Sequence, residues 1–392
     1  MQRVLLLLST LFSLYACTTT VPHATVEEKP VTPAAIAEIP VAETVVIATP
    51  APVLTLDKDA VPHIALLLPL KSKDYGSAAD AVQQGFLAAA NHQRQILPIR
   101  IYSDFDENNN VVAVYRQATA SGAQVVVGPL TRSGVSALAA EQFIPVPTLA
   151  LNIVEEKPAQ LMYFFGMAAE TEARQAAQLA KRQGLREAIV ITTHAQLTKR
   201  LQSAFEEEWF ASGGGILREI EFNNVSGEFA DIAEIPGTAI FLAADAKTAR
   251  LIRPYLSNKL PIYATSQIFS GNDNTLTNYD LNGIRFVDMP WLLQPDHAAV
   301  MTYPRASPSL PIDRERLYAL GIDAFRLTRI LFSKNPNVAL PLDGVTGDIH
   351  LRDHVFQRLA IPAVFQEGRS QLAGVNSAPA IQMFPNQTIV TP

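Results

Sequence analysis

Residues 125–139 read VVVGPLTRSGVSALA, and this stretch decides the fold. Three consecutive valines form a short apolar run of the kind that a strand buried on both faces requires. Gly128-Pro129 then breaks the run, and Thr131, Arg132 and Ser133 open a segment whose Val135, Leu138 and Ala139 recur at helical spacing. The unit is therefore strand, tight turn, helix. The same rhythm extends on both sides. Upstream, HIALLLPL (63–70) and PIRIYS (98–103) are strands; Val82, Phe86 and Ala90 mark one helix face, and Val111, Val114, Tyr115 and Ala118 another, ended by Gly122. Downstream, PTLALN (147–152) is a fourth strand.

A second series begins after about residue 160. YFFG (163–166), AIVIT (188–192), ILREIEF (216–222), TAIFLAA (238–244), IYATS (262–266) and GIRFVD (283–288) are strand candidates, with helices near 171–184, 196–213 and 246–256. A late helix (314–333) and a closing segment from Gly344 complete the chain. Alternating strands and helices with continuously apolar strands imply parallel sheets covered on both faces. The expectation is an α/β protein of two doubly wound parallel-sheet lobes over 61–392. The first lobe would take about 61–153 and 290–343, and the second about 154–289 and 344–392.

Ahead of this body the composition changes. Arg3 precedes an apolar run, VLLLLSTLFSL (4–14), which is too short to span a bilayer but suits an export signal. Cys17 is the single cysteine, set directly behind Leu14 and Ala16, as in the lipid-attachment motif of bacterial lipoproteins. That resemblance implies a signal peptide over 1–16 and lipidation of Cys17, and Thr18 in place of Asp suggests sorting to the outer membrane. Residues 17–60 hold prolines at 22, 30, 33, 40, 50 and 52 and no aromatic side chain. Proline blocks helices and central strands, so this is expected to be an extended, disordered tether.

The two-lobed pattern resembles the type I periplasmic binding protein fold, in LYALGIDAFRL (317–327) and GVTGDIHL (344–351) as well as in the opening stretch. A narrower likeness lies in PIYATSQIFSGN (261–272), DLNGIRFVDMPWLL (280–293) and GVTGDIHLRDHVFQRLAIPAVFQEG (344–368). These segments are similar to the penicillin-binding protein activator lipoproteins, over roughly 61–370. The resemblance implies a non-catalytic outer-membrane lipoprotein, lipid-anchored on the periplasmic face, that stimulates a bifunctional penicillin-binding protein of the inner membrane. Long members of that family carry an additional domain of helical repeats where this chain has its tether, so a spacer role for the tether is implied.

Candidate sites follow from position. Thr131, Arg132 and Ser133 lie after a strand, where open α/β sheets bind ligands, with Tyr75 after the first strand and Asn152 after the fourth. In amino-acid receptors of the broader fold, hydroxyls and helix-start amides at this place hold a carboxylate. The competing and favoured reading is an inherited turn with Ser133 as helix cap. Ser266, Gln267, Asp288 and Trp291 lie in the segments most specific to the activators, and stand equally for a partner surface or for hinge packing.

Other patterns carry less. SDFDENNN (103–110) loosely matches a calcium loop but lacks the required glycine and the bidentate glutamate. HLRDH (350–354) inverts a zinc-protease motif, with Asp353 where Glu is needed and a strand in place of a helix. No metal or cofactor is expected. A net charge of −6 without basic clusters speaks against nucleic acid as a partner. With no nucleophile elbow, phosphate loop or dinucleotide glycine pattern, enzymatic chemistry has no carrier. The rival function is a lipid-anchored solute receptor for amino acids or amides.

Overall fold

The computed structural model describes residues 56–93, 97–103, 110–223, 226–229, 231–273, 275–333 and 340–373. The export segment, Cys17, the tether up to residue 55 and positions 104–109 of the calcium-like stretch lie outside these residues. No helix among the described residues is long and apolar enough to cross a membrane.

Five parallel strands build the centre of the first sheet: β1 (His63–Leu67), β2 (Ile99–Tyr102), β3 (Ala123–Val127), β4 (Thr148–Ala150) and β5 (Met162–Phe165), in the order 2-1-3-4-5. The second sheet repeats this order with β6 (Glu187–Thr192), β7 (Gly215–Glu221), β8 (Thr238–Leu242), β9 (Ile262–Tyr263) and β10 (Ile284–Asp288). Helices α1 (Gly76–His92), α2 (Val111–Ala120) and α3 (Arg132–Ala139) serve the first sheet; α4 (Ala169–Arg182), α5 (Gln196–Ala211) and α6 (Ala246–Ile252) serve the second. After the short α7 (Thr275–Asn278), α8 (Pro290–Leu293) and α9 (Ala298–Met301), the chain returns to the first lobe as α10 (Ile312–Phe332).

The lobe boundaries differ from those expected. β5 belongs to the first sheet, and so do β11 (Leu342–Gly344), β12 (Gly347–Arg352) and β13 (Val355–Leu359), which form an antiparallel meander. β13 then runs parallel to β5, Val355 opposite Phe164. Only at Ala360 does the chain cross, entering the second sheet as β14 (Ile361–Gln366) and β15 (Arg369–Leu372). Apolar burial explains the placement of β5: Phe165 joins one core of the first lobe and Met162 with Phe164 the other. Each sheet is thus parallel from one edge through the centre and antiparallel only at the other edge.

Two helices of the first lobe meet through glycine. Gly85 of α1 and Gly321 of α10 stand against each other's partner backbone: a Cβ on Gly321 would lie 2.1 Å from the Val82 carbonyl oxygen, and one on Gly85 would lie 1.9 Å from that of Tyr318. A mid-helix glycine costs roughly 0.5–1 kcal/mol against alanine, so these positions are kept for close approach. Gly321→Val should push the helices apart and open the edge-to-face contact of Phe86 with Phe325. A loss of about 1–3 kcal/mol in urea denaturation is expected; an unchanged midpoint would show that the helices can separate freely.

His63, fully buried at the start of β1, has both ring nitrogens engaged. Nδ1 donates to the Val61 carbonyl at 2.7 Å, so Nε2 is the acceptor for the Tyr102 hydroxyl at 2.9 Å. Burial lowers its pKa, the Val61 bond opposes this, and nearby Arg100 lowers it further. A histidine lowered in the folded state contributes stability that is complete above its unfolded value, near 6.5, and is lost as pH falls through its folded value. The ring should therefore titrate below 6.5 by NMR, with stability declining as the solution is acidified from that point. Titration at or above 6.5 contradicts the assignment.

Candidate functional site

The chain crosses between lobes after the carboxyl ends of β5, β10 and β13, and two groups of side chains lie at strand carboxyl ends. The first surrounds the turn after β3. Gly128 has φ +103°, and a Cβ on it would lie 2.1 Å from the Leu67 carbonyl oxygen, so the turn can follow β1 this closely only with glycine. Thr131 caps α3, its hydroxyl accepting from the Gly134 amide at 3.2 Å. Ser133 does not cap the helix as expected; it lies one residue inside it and donates to the Thr131 hydroxyl at 3.5 Å. The reason is backbone geometry, since Thr131 holds the extended conformation of a capping residue. Asn152 is drawn to the same turn, donating to the Leu130 carbonyl at 3.1 Å and accepting from the Ile153 amide at 2.9 Å.

Arg132 faces an exposed carboxylate of its own chain, Glu155, at 3.5 Å. Beside it, Glu156 is held below the usual carboxylate range by its own amide first, then by the Ser136 side chain of α3, against desolvation and with help from Arg132. The helix start that could receive a ligand carboxylate therefore has glutamates of the chain next to it. Tyr75 stands at the start of α1, half-exposed, its amide bonded to the Ser72 hydroxyl at 3.1 Å. No hydrogen bond joins Tyr75 to the turn among the described residues. Thr131→Ala should cost about 1 kcal/mol through loss of the cap, measured by thermal denaturation. A cost near zero would mean that the cap does not hold the helix start.

The second group lies around the end of β10. Ser266, Asp288 and Trp291 are buried and Gln267 is half-buried, on the turn Ser266–Ile268. Asp288, at the end of β10, receives Arg316 of α10 at 2.7 Å in a pair shielded from solvent. Burial pushes the Asp288 carboxyl up, and the Arg316 guanidinium works against that. The same guanidinium donates to the carbonyls of Ser266 at 3.0 Å and Phe269 at 2.8 Å. Trp291 donates through Nε1 to Glu315 at 2.7 Å, and Arg305 lies 3.8 Å from its ring centre. Ser266, Asp288 and Trp291 are thus buried; Ser266 and Asp288 of the second lobe bind Arg316 of the first, while Trp291 packs within the first.

Sequence reading did not single out Glu172, Arg316, Asp323 or Arg358, all buried. Asp323 gave the one available signal, a carboxylate amid apolar residues in LGIDAF (320–325). Its role is to receive the Val345 and Thr346 amides and the Thr346 hydroxyl, which ties the β11–β12 hairpin to α10. The HLRDH stretch forms the end of β12 and a turn, with Asp353 and His354 at positive φ and the His354 ring bonded to the Met162 carbonyl. Its histidines and aspartate thus do not share one helix face. No group of three potential ligands is close enough to hold a metal among the described residues.

Comparison with known proteins adds the family. The model of a family described as LppC putative lipoprotein matches residues 29–235 and 230–358. A penicillin-binding protein activator LpoA from Photobacterium profundum is 25% identical over 354 residues, covering 80% of this chain and 57% of that protein. The chain spans about half the length of the curated relatives it matches. Full-length LpoA of Haemophilus influenzae superposes with TM-score 0.68 at 25% identity, over 82% of this chain and 60% of that one. A structure from Chromobacterium violaceum, called a putative branched-chain amino acid ABC transporter, is 37% identical with TM-score 0.66, over 78% of this chain and all of that one. With the model matching most of the two-lobed body, this chain belongs to the LppC putative lipoprotein family.

Proposed function

We propose that this protein is a non-catalytic lipoprotein that activates a bifunctional penicillin-binding protein from the periplasmic side. The observation that carries this reading is the match of the two-lobed body to relatives named as penicillin-binding protein activators. In the proposal the chain is exported and cleaved before Cys17, lipid on Cys17 anchors it in the outer membrane, and residues 18–60 act as the spacer. Polyproline-like chain extends ~3.1 Å per residue, giving roughly 130 Å of reach.

The test is reconstitution. The lipid-free protein is added to the purified bifunctional synthase of the same organism, and glycan polymerisation and peptide cross-linking are followed. Stimulation of either activity is the expected result; binding without stimulation, or neither, overturns it. Cys17→Ser should release the protein from the membrane fraction, and a variant that still sediments with outer membranes at high salt removes the anchor.

The likeness to the Chromobacterium violaceum protein supports a second reading, a solute receptor for amino acids. Against it stand the hydroxyls of Thr131 and Ser133, committed to one another and to the helix, and the glutamates beside Arg132. A ligand at ~100 times its dissociation constant would stabilise the fold by about 2.7 kcal/mol. A clear rise in melting temperature with any free amino acid selects the receptor reading.

A further inference from the structure

Two lobes joined by a few crossings ordinarily move against each other unless the surface between them is large and apolar. Here the crossings are bound by polar contacts that close on themselves. Asp323 of α10 holds Thr346 at 2.8 Å through its amide. The Thr346 carbonyl accepts from Arg358 of β13 at 3.5 Å, and Arg358 pairs with Glu172 of α4 at 2.5 Å. The other oxygen of Glu172 accepts from the Ser266 amide at 3.0 Å. Ser266 in turn receives Arg316, which is again on α10, seven residues and two turns before Asp323.

The path leaves α10, crosses to the second lobe at Arg358–Glu172, and returns at Ser266–Arg316. Both crossing contacts are buried, and Asp288 strengthens the second. Gln175 of α4 fixes the last chain crossing as well. Its amide donates to the Ala360 carbonyl at 2.6 Å, and its oxygen accepts from the Ala360 amide at 3.1 Å.

We infer that this closed polar ring is a clamp that holds the two lobes at one angle, so that the body is a fixed-angle platform and not a closing receptor. A rotation of one lobe must separate Arg358 from Glu172 or Arg316 from Ser266 and Asp288. Either break separates charged groups that are buried together, so an opened arrangement is expected to be a minor state, at roughly one molecule in a hundred or fewer. The clamp does not depend on which partner the platform serves.

Distance measurement between spin labels tests this. Labels are placed at Gln117→Cys on α2 and Ser203→Cys on α5, both exposed, in the full chain carrying Cys17→Ser. The otherwise unsubstituted protein should give one narrow distance population that free amino acids do not move. Two populations, or a shift on adding any amino acid, overturn the clamp. Arg358→Met should broaden the population while circular dichroism remains that of a folded α/β protein; a folded variant with an unchanged narrow population is equally fatal to the idea. Should that variant not fold, Glu172→Gln keeps an acceptor for Ser266, loses the ion pair, and is expected to broaden the distribution.

Discussion

Asp288→Ala is expected to destabilise the protein by about 3–5 kcal/mol, because it leaves the Arg316 guanidinium buried without its carboxylate. Arg316 retains the Ser266 and Phe269 carbonyls and the exposed Asp313, none of which replaces a buried counter-ion. The two tryptophans make the measurement specific. Trp209 lies in a core of the second lobe and Trp291 in a core of the first. Urea denaturation followed by fluorescence should show an early transition in the variant. The paired change Asp288→Leu with Arg316→Met should recover part of the loss, since apolar groups of similar volume often replace a buried ion pair without penalty, while the Phe269 carbonyl and the Met289 amide lose a partner. A single-variant loss below about 1 kcal/mol would falsify the buried-pair account.

Trp291→Ala should cost a similar amount, about 3–5 kcal/mol, as the largest side chain of this group is removed from a closed site. Its ring is fully buried and packs against Tyr318 at 5.5 Å between centroids, with Arg305 on one side. Its neighbour Leu292 touches the cores of both lobes, so the cavity would open at the crossing itself. Trp291→Phe separates packing from hydrogen bonding: most of the volume remains, the Nε1–Glu315 bond is lost, and about 1–2 kcal/mol should be the cost. Equal losses for alanine and phenylalanine would mean that the bond to Glu315, and not the ring, holds this site.

Much of the architecture was legible in the chain. The short apolar runs at 63–70, 125–130, 188–192 and 238–244 all lie in or around buried strands, and the amphipathic segments between them are helices. The turn after β3 was also legible, because Gly128, Pro129 and a following hydroxyl have local meaning. Which hydroxyl caps the helix was not, since Thr131 and Ser133 differ only in backbone conformation. The residues around the end of β10 were recognisable as a group, but their burial was not.

What the sequence determined by itself is what depends on neighbours along the chain: the order and kind of elements, the α/β class, and the change of composition near residue 60. Tertiary structure alone decided the lobe to which each late strand belongs, the contact of Gly85 with α10, and the clamp. β13 could have joined either sheet on hydropathy, and its pairing with β5 was settled by a partner far away in sequence. Glu172 and Arg358 are 186 residues apart, and nothing in either local pattern distinguishes them from surface charges. Periodicity is a local property of the backbone, whereas the environment that makes a charge structural, its burial and its counter-ion, exists only once distant segments have been brought together.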